Sequence, residues 1–275
     1  MKNKGALIVK LVLLFLVLGL LVFAAFKLVN SSFGGIFNFG FSKELVESKS
    51  FSGVTDIELS AVSESVTVEE YDGTEILYEY YSTSSKNAPI LEQSGSTLKV
   101  TQTVERRLQS ISRSNITIKV PRGQAMSFTM SSLSGSISLN AKSLNSDLST
   151  ISGSIKVYRG GLSLTAGSTS GSVKVFEAFE KVSASSVSGS IKIRANDGTI
   201  SVGAETVSGS IKVMLPPSAG YELSYSTTSG SVKDEYRGKS FDKEGTASFG
   251  SDGANIKINA SSISGSIKLC DFDAN

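Results

Sequence analysis

The octapeptide Thr150-Ile151-Ser152-Gly153-Ser154-Ile155-Lys156-Val157 carries one of seven copies of a single phrase, S-G-S-[IV], spread from Leu133 to Leu269. Its glycines are Gly135, Gly153, Gly171, Gly189, Gly209, Gly230 and Gly265, separated by 18, 18, 18, 20, 21 and 35 residues. A fixed period of this size, carrying its own turn residues and apolar positions, marks a solenoid in which each repeat buries its apolar face only against its neighbours.

Two residues after the glycine stand Ile137, Ile155, Val173, Ile191, Ile211, Val232 and Ile267; four after it, Leu139, Val157, Val175, Ile193, Val213, Asp234 and Leu269. Leu133, Ile151, Thr169, Val187, Val207, Thr228 and Ile263, two before it, share that parity. Alternation therefore predicts one strand with these positions and the glycine facing inward and the flanking serines outward. A second apolar set lies nine, seven and five residues before the glycine: Leu162, Leu164 and Ala166; Ile200, Val202 and Ala204; Ile256, Ile258 and Ala260; and Met126, Phe128 and Met130. The parity changes between the sets, and small polar pairs such as Ser149-Thr150 and Ser185-Ser186 stand at the change, as a corner needs. Each rung of 18–21 residues is thus two strands and a corner. The inward glycine lets backbone layers approach closely or bend.

Residues 51–130 keep the strand pattern without the phrase. Strands are predicted at Val54–Glu58, Val66–Glu70, Ile76–Tyr80, Thr97–Thr103 and Asn115–Val120, with Asp72-Gly73 as a hairpin turn between the second and third. They are expected to form an irregular cap on the same stack, with 131–275 as its regular repeats. The 35-residue gap before Gly265 predicts a degenerate rung or an inserted hairpin around Ser248-Phe249-Gly250-Ser251.

The first 29 residues differ. Lys2, Lys4 and Lys10 precede the uncharged run Leu11 to Phe26, and Lys27 follows it. Two readings fit: a transmembrane helix that anchors the chain, or a cleaved signal peptide with Val22-Phe23-Ala24 near its cleavage site. The length of the run favours the anchor. The positive flank predicts a cytoplasmic N-terminus and an extracytoplasmic C-terminal bulk, single-pass in the cell membrane, or secreted or periplasmic if the segment is cleaved. Residues 30–50, with Ser31, Ser32, Gly34, Gly35 and Gly40, read as a flexible linker whose phenylalanines rest at the membrane interface or pack on the first strands.

Four of the 27 basic residues lie in that leader, so 23 remain against 25 acidic ones, a net charge of −2. Such a balance does not indicate nucleic acid as a partner. The single cysteine, Cys270, excludes an intramolecular disulfide, and the absence of histidine removes the commonest general base and metal ligand. No phosphate-binding loop motif is present, and Asn196-Asp197-Gly198 and Ser251-Asp252-Gly253 are turn signals. Serine and lysine two apart, as at Ser154 and Lys156, recur in six copies, which makes them architecture where a catalytic pair needs one secluded lysine. No catalytic residue, cofactor or metal is expected.

The order Ile116-Thr117-Ile118-Lys119-Val120-Pro121-Arg122-Gly123, then Ser132-Leu133-Ser134-Gly135-Ser136-Ile137 and repeated S-G rungs, resembles the bacterial "putative adhesin" domain of unknown function. Leu215-Pro216-Pro217-Ser218-Ala219-Gly220-Tyr221 leading into Thr227-Thr228-Ser229-Gly230-Ser231-Val232 shares the likeness, which covers roughly 50–270. The resemblance implies an all-β, single elongated β-solenoid associated with the cell envelope, and it carries no catalytic motif. Many relatives place Asp or Asn after the repeat glycine, where this chain has serine in every copy.

The repeated lysine, three after the glycine, is the candidate binding feature: Lys156, Lys174, Lys192, Lys212, Lys233 and Lys268. In-register stacking would set the first five in a line, at about 4.8 Å per rung. Such a stripe suits an envelope polymer or acidic lipid headgroups. The stripe more readily reads as a solubility device that keeps a flat sheet from pairing with others, since acids elsewhere on the face could neutralise it. The expected function is non-enzymatic binding or organisation of an envelope ligand; the alternative is a regulatory contact with a membrane protein during envelope stress.

Overall fold

The structure is a computed structural model that describes residues 43–83, 88–102, 114–217, 219–250 and 256–272. The expected membrane helix and most of the linker lie outside these residues, and no helix among them is long and apolar enough to cross a membrane. The described residues fall in one compact unit, Lys43–Asn275.

The fold is all-β. In chain order the strands are β1 (Glu44–Phe51), β2 (Asp56–Ala61), β3 (Ser65–Tyr71), β4 (Ile76–Ser82), β5 (Ile90–Ser94), β6 (Thr97–Thr101), β7 (Ser114–Pro121) and β8 (Met126–Ser132). The regular region adds β9 (Ile137–Asn140), β10 (Ser143–Thr150), β11 (Ile155–Val157), β12 (Gly161–Ser168), β13 (Val173–Val175), β14 (Lys181–Ser186), β15 (Ile191–Arg194), β16 (Ser201–Thr206) and β17 (Ile211–Leu215). The last part holds β18 (Tyr221–Thr227), β19 (Val232–Asp234), β20 (Lys239–Phe241), β21 (Glu244–Phe249), β22 (Ile256–Ser262) and β23 (Ile267–Asp271). One sheet runs β1-β4-β7-β3-β9-β11-β13-β15-β17-β23-β19-β20, and the other β21-β18-β22-β16-β14-β12-β10-β8-β2-β6-β5. Each rung crosses once from the second sheet to the first, as β10 to β11, and successive rungs pair in parallel. This is the two-strand solenoid that the repeat predicts.

Its pitch is set at the glycine corner. A Cβ placed on Gly153, Gly171, Gly189 or Gly209 would stand 1.7–2.0 Å from the carbonyl oxygen of the glycine one rung away. Only a residue without a side chain tolerates that approach. The residue three before each glycine is always Ser or Thr, and its hydroxyl fills the remaining corner. Thr150, Ser168, Ser186, Thr206, Thr227 and Ser262 accept the N–H of their own glycine at 2.8–3.1 Å. Each donates to the glycine carbonyl of the next rung at 2.9–3.4 Å. Backbone groups that the corner would leave unpaired are thereby satisfied inside the core.

This ladder corrects the inward assignment of the residues two before the glycine. Thr150 and its counterparts point in, so Ile151, Val187 and Val207 are half-exposed and Ile263 is 53% exposed. Leu162 and Ile200 are likewise outside, because each precedes the first inward residue of a strand entered from a loop. Phe179 is fully buried beside Gly161. Met126 and Ile256, nine before the glycine, and the apolar residues that follow the glycine or precede it by seven and five form the core.

Three further expectations change. Asp72-Gly73 does not make a hairpin, since β7 lies between β3 and β4 and pairs with both. Residues 44–50, read as linker, belong to β1. The segment before Gly265 supplies β20 and β21, which pair antiparallel with β19 and β18 in different sheets and close that end as a reversed rung. At the other end, β4 and β5 pair antiparallel with β7 and β6, and β1 with β4. Antiparallel caps, with Glu44 and Lys49 and a bulge between Leu45 and Glu47 on the outermost strand β1, blunt an edge that would otherwise template further pairing.

Gly171→Ala is expected to lower the unfolding free energy by about 3 kcal/mol, the scale of a severe core clash. Gly203→Ala, whose new Cβ would meet nothing closer than 3.7 Å, should leave stability unchanged or raise it by about 0.5 kcal/mol. Chemical denaturation of both variants checks the contrast; equal losses would contradict the corner geometry.

Candidate binding face

Outward positions of the first sheet fall into columns that run from rung to rung. The residue after each glycine gives a serine column, and backbone N–H groups of Ser154 and Ser172 donate to the serine hydroxyls one rung away at 3.2 and 3.3 Å. Two residues further along, the strand registers pair Lys156 with Lys174, Lys174 with Lys192, and Lys192 with Lys212. Lys268 then pairs with both Lys212 and Lys233. All six predicted lysines therefore stand in one column. The expected line of five is corrected by the insertion of Lys268, whose strand β23 lies between β17 and β19.

Lys156, Lys174 and Lys233 are exposed, and Lys192, Lys212 and Lys268 half-buried. At about 4.8 Å per rung, neighbouring charges repel by ~0.9 kcal/mol in bulk water, less once the side chains splay. Ion pairing relieves this at Lys268, whose Nζ lies 2.9 Å from the Glu235 carboxylate. Among the described residues, Lys156, Lys174, Lys192 and Lys233 make no ion pair. Beyond Lys156 the column continues as Ser138, Thr67, Thr117 and Glu79, and Glu79 pairs with Lys119. The positive charge is thus confined to six adjacent rungs.

A third column, five after the glycine, contains Tyr158 and Phe176, which the sequence reading did not single out. Their rings stack at 4.9 Å between centroids and 6° between planes, and each residue is 41% exposed. Their signal was two consecutive aromatics at an outward position. Elsewhere in this column Arg194 lies over the Phe272 ring at 4.3 Å. Met214 and Cys270 are buried. Cys270 lies within β23, and burial pushes its thiol up, an environment that suppresses the reactive thiolate.

The face offers a line of cations, hydroxyls and two open rings on a rigid sheet. The described residues contain no group of three or more acidic or thiol side chains placed to hold a metal. The repeat glycines Gly135, Gly153, Gly171, Gly189, Gly209, Gly230 and Gly265 set the spacing of the columns from within.

The hydrogen bond from Lys268, then the charges of Lys212 and Lys233, hold the Glu235 carboxyl below the usual carboxylate range. Because the folded value is the lower one, any stabilisation is present above the unfolded pKa and is lost as pH falls through the folded value. Lys268→Gln should move the Glu235 titration upward in a carbon-detected NMR series. An unchanged midpoint would show that this pair does not form in solution.

The chain was compared with known proteins. The model of the family described as Toastrack DUF4097 matches residues 54–163 and again 162–270. Among solved structures, it is similar to a "putative adhesin" from Bacteroides fragilis NCTC 9343, with 13% identity and a TM-score of 0.44. It is also similar to a "putative cell adhesion protein" from Clostridium sporogenes ATCC 15579, with 12% identity and a TM-score of 0.38. Each likeness covers 84% of this chain and 100% of the other. No curated protein matches the chain. The two family matches together span residues 54–270, most of the chain, and the chain belongs to the Toastrack DUF4097 family.

Proposed function

We propose that this protein is a non-enzymatic binding solenoid of the cell envelope that holds an anionic polymer along its lysine column. One observation carries the reading: six lysines from six adjacent rungs share one register, and among the described residues Lys156, Lys174, Lys192 and Lys233 make no ion pair. A file of like charges on a rigid sheet is preorganised, so a linear polyanion gains attraction at every rung without the cost of ordering the protein. The leader, as an anchor, would hold this face outside the membrane with its N-terminus in the cytoplasm.

The test uses the full chain in a neutral detergent, beside a variant with Lys156, Lys174, Lys192, Lys212, Lys233 and Lys268 changed to Gln. The wild type should bind polyphosphate with an affinity that falls as salt rises, and the variant should lose about tenfold or more. Equal behaviour of the two proteins would reduce the lysines to a solubility device.

A further inference from the structure

We infer that the anionic ligand is a glycan, whose sugar rings pack against the Tyr158–Phe176 pair while its acidic groups lie along Lys156, Lys174 and their neighbours. This rests on the reading of the lysine column as a polyanion site. Tyr158 and Phe176 directly follow β11 and β13, two residues beyond Lys156 and Lys174; all four are exposed while Val157 and Val175 between them are buried, so the same two rungs present rings and ammonium groups to solvent. Mutual stacking uses one face of each ring, and each residue stays 41% exposed. Other members of the column are polar, as Asn140 and Glu235, buried, as Met214 and Cys270, or engaged, as Arg194 over Phe272. Open aromatic surface in this column is therefore confined to rungs whose lysines make no ion pair.

The chemistry of a pyranose matches that combination. One face of its ring carries C–H groups, whose slight positive charge meets the negative face of an aromatic ring. Its hydroxyls and carboxylates take donors such as Lys Nζ, and the serine column lies beside the lysines. The Tyr158 hydroxyl has no protein partner among the described residues and adds a donor at the same place. Polyphosphate has no apolar face and gains nothing from the rings. A bilayer surface is a plane, and binding to it grows with the apolar area it buries; two rings beside a single file of charge suit a chain-like ligand better.

The test again uses the full chain in neutral detergent, with polygalacturonate, hyaluronate, polyphosphate, neutral dextran and phosphatidylglycerol nanodiscs as probes. Tyr158→Ala with Phe176→Ala should weaken binding to at least one acidic glycan by about tenfold while changing polyphosphate binding by less than about twofold. Tyr158→Phe with Phe176→Tyr, which keeps two rings, should bind as the wild type does. Circular dichroism and thermal unfolding of each variant establish that the fold is retained. Equal losses on glycan and polyphosphate, no loss on either, or a loss confined to the nanodiscs would each overturn the glycan assignment. In those cases salt-sensitive binding that the six-glutamine variant loses would leave the polyanion reading standing. Absence of binding to every anionic probe would remove both.

Discussion

The approach of each repeat glycine to the carbonyl of its neighbour one rung away governs this molecule. No Cβ fits between them, and a Ser or Thr hydroxyl bridges the same two glycines through its own pair of hydrogen bonds. The result is a polar seam that runs through the core, its backbone groups paired from rung to rung. Since the seam fixes which glycine sits above which, it fixes the register of everything outside it. The lysine column follows: residues three after equivalent glycines must stand one above another. At the first cap the seam ends on Glu64, which occupies the glycine place in Ser63-Glu64-Ser65-Val66. Its carbonyl accepts from Ser132 at 3.4 Å, and its fully buried carboxylate takes the N–H groups of Val62 and Ser63 and the Ser114 hydroxyl.

Order along the stack departs from order along the chain at both ends. The rung β6/β7 lies outside β2/β3, and the chain then returns to lay β8/β9 on the inner side. At the far end β18/β19 is placed one level out, the reversed strands β20 and β21 close it, and β22/β23 fills the level left between. Each family match holds one of these excursions. The final rung thus pairs on both sides with strands already laid down, so the last regular segment of the chain is locked between neighbours. Asp234, at an otherwise apolar inward position of β19, is fully buried next to this cap and accepts from the Tyr221 hydroxyl and the Arg237 N–H.

Much of the architecture was legible in the repeat. Period, two strands per rung, inward glycines and outward lysines all follow from residue parity, because parity survives wherever a strand is regular. Parity fails at corners, and the misassigned residues gather there. Ile151 and Ile263 were expected inside because their distance from the glycine is even, yet the corner turns between Thr150 and Gly153. The invariant Ser or Thr at Thr150, Ser168 and Ser186 was visible, and its role depends on a backbone approach that no one-dimensional pattern encodes. The place of β23 was beyond local reading, since pairing partners distant in the chain set it on both sides: Leu269 pairs with Val213, 56 residues away, and with Asp234, 35 residues away. Tyr158 and Phe176 were present in phase, and their importance emerges once the lysines beside them are seen to lack acidic partners.

The rungs stack through the glycine seam in an order that seats Lys268 between Lys212 and Lys233. Scalar couplings across backbone hydrogen bonds, measured by NMR, read that order directly. The account predicts a coupling from the Ile211 amide nitrogen to the Ser266 carbonyl carbon, and another from Ile267 to Ser231, for bonds of 2.9 Å each. A coupling from Ile211 to Ser231 would mean that the rungs stack in chain order, which would break the lysine column as described and contradict the account.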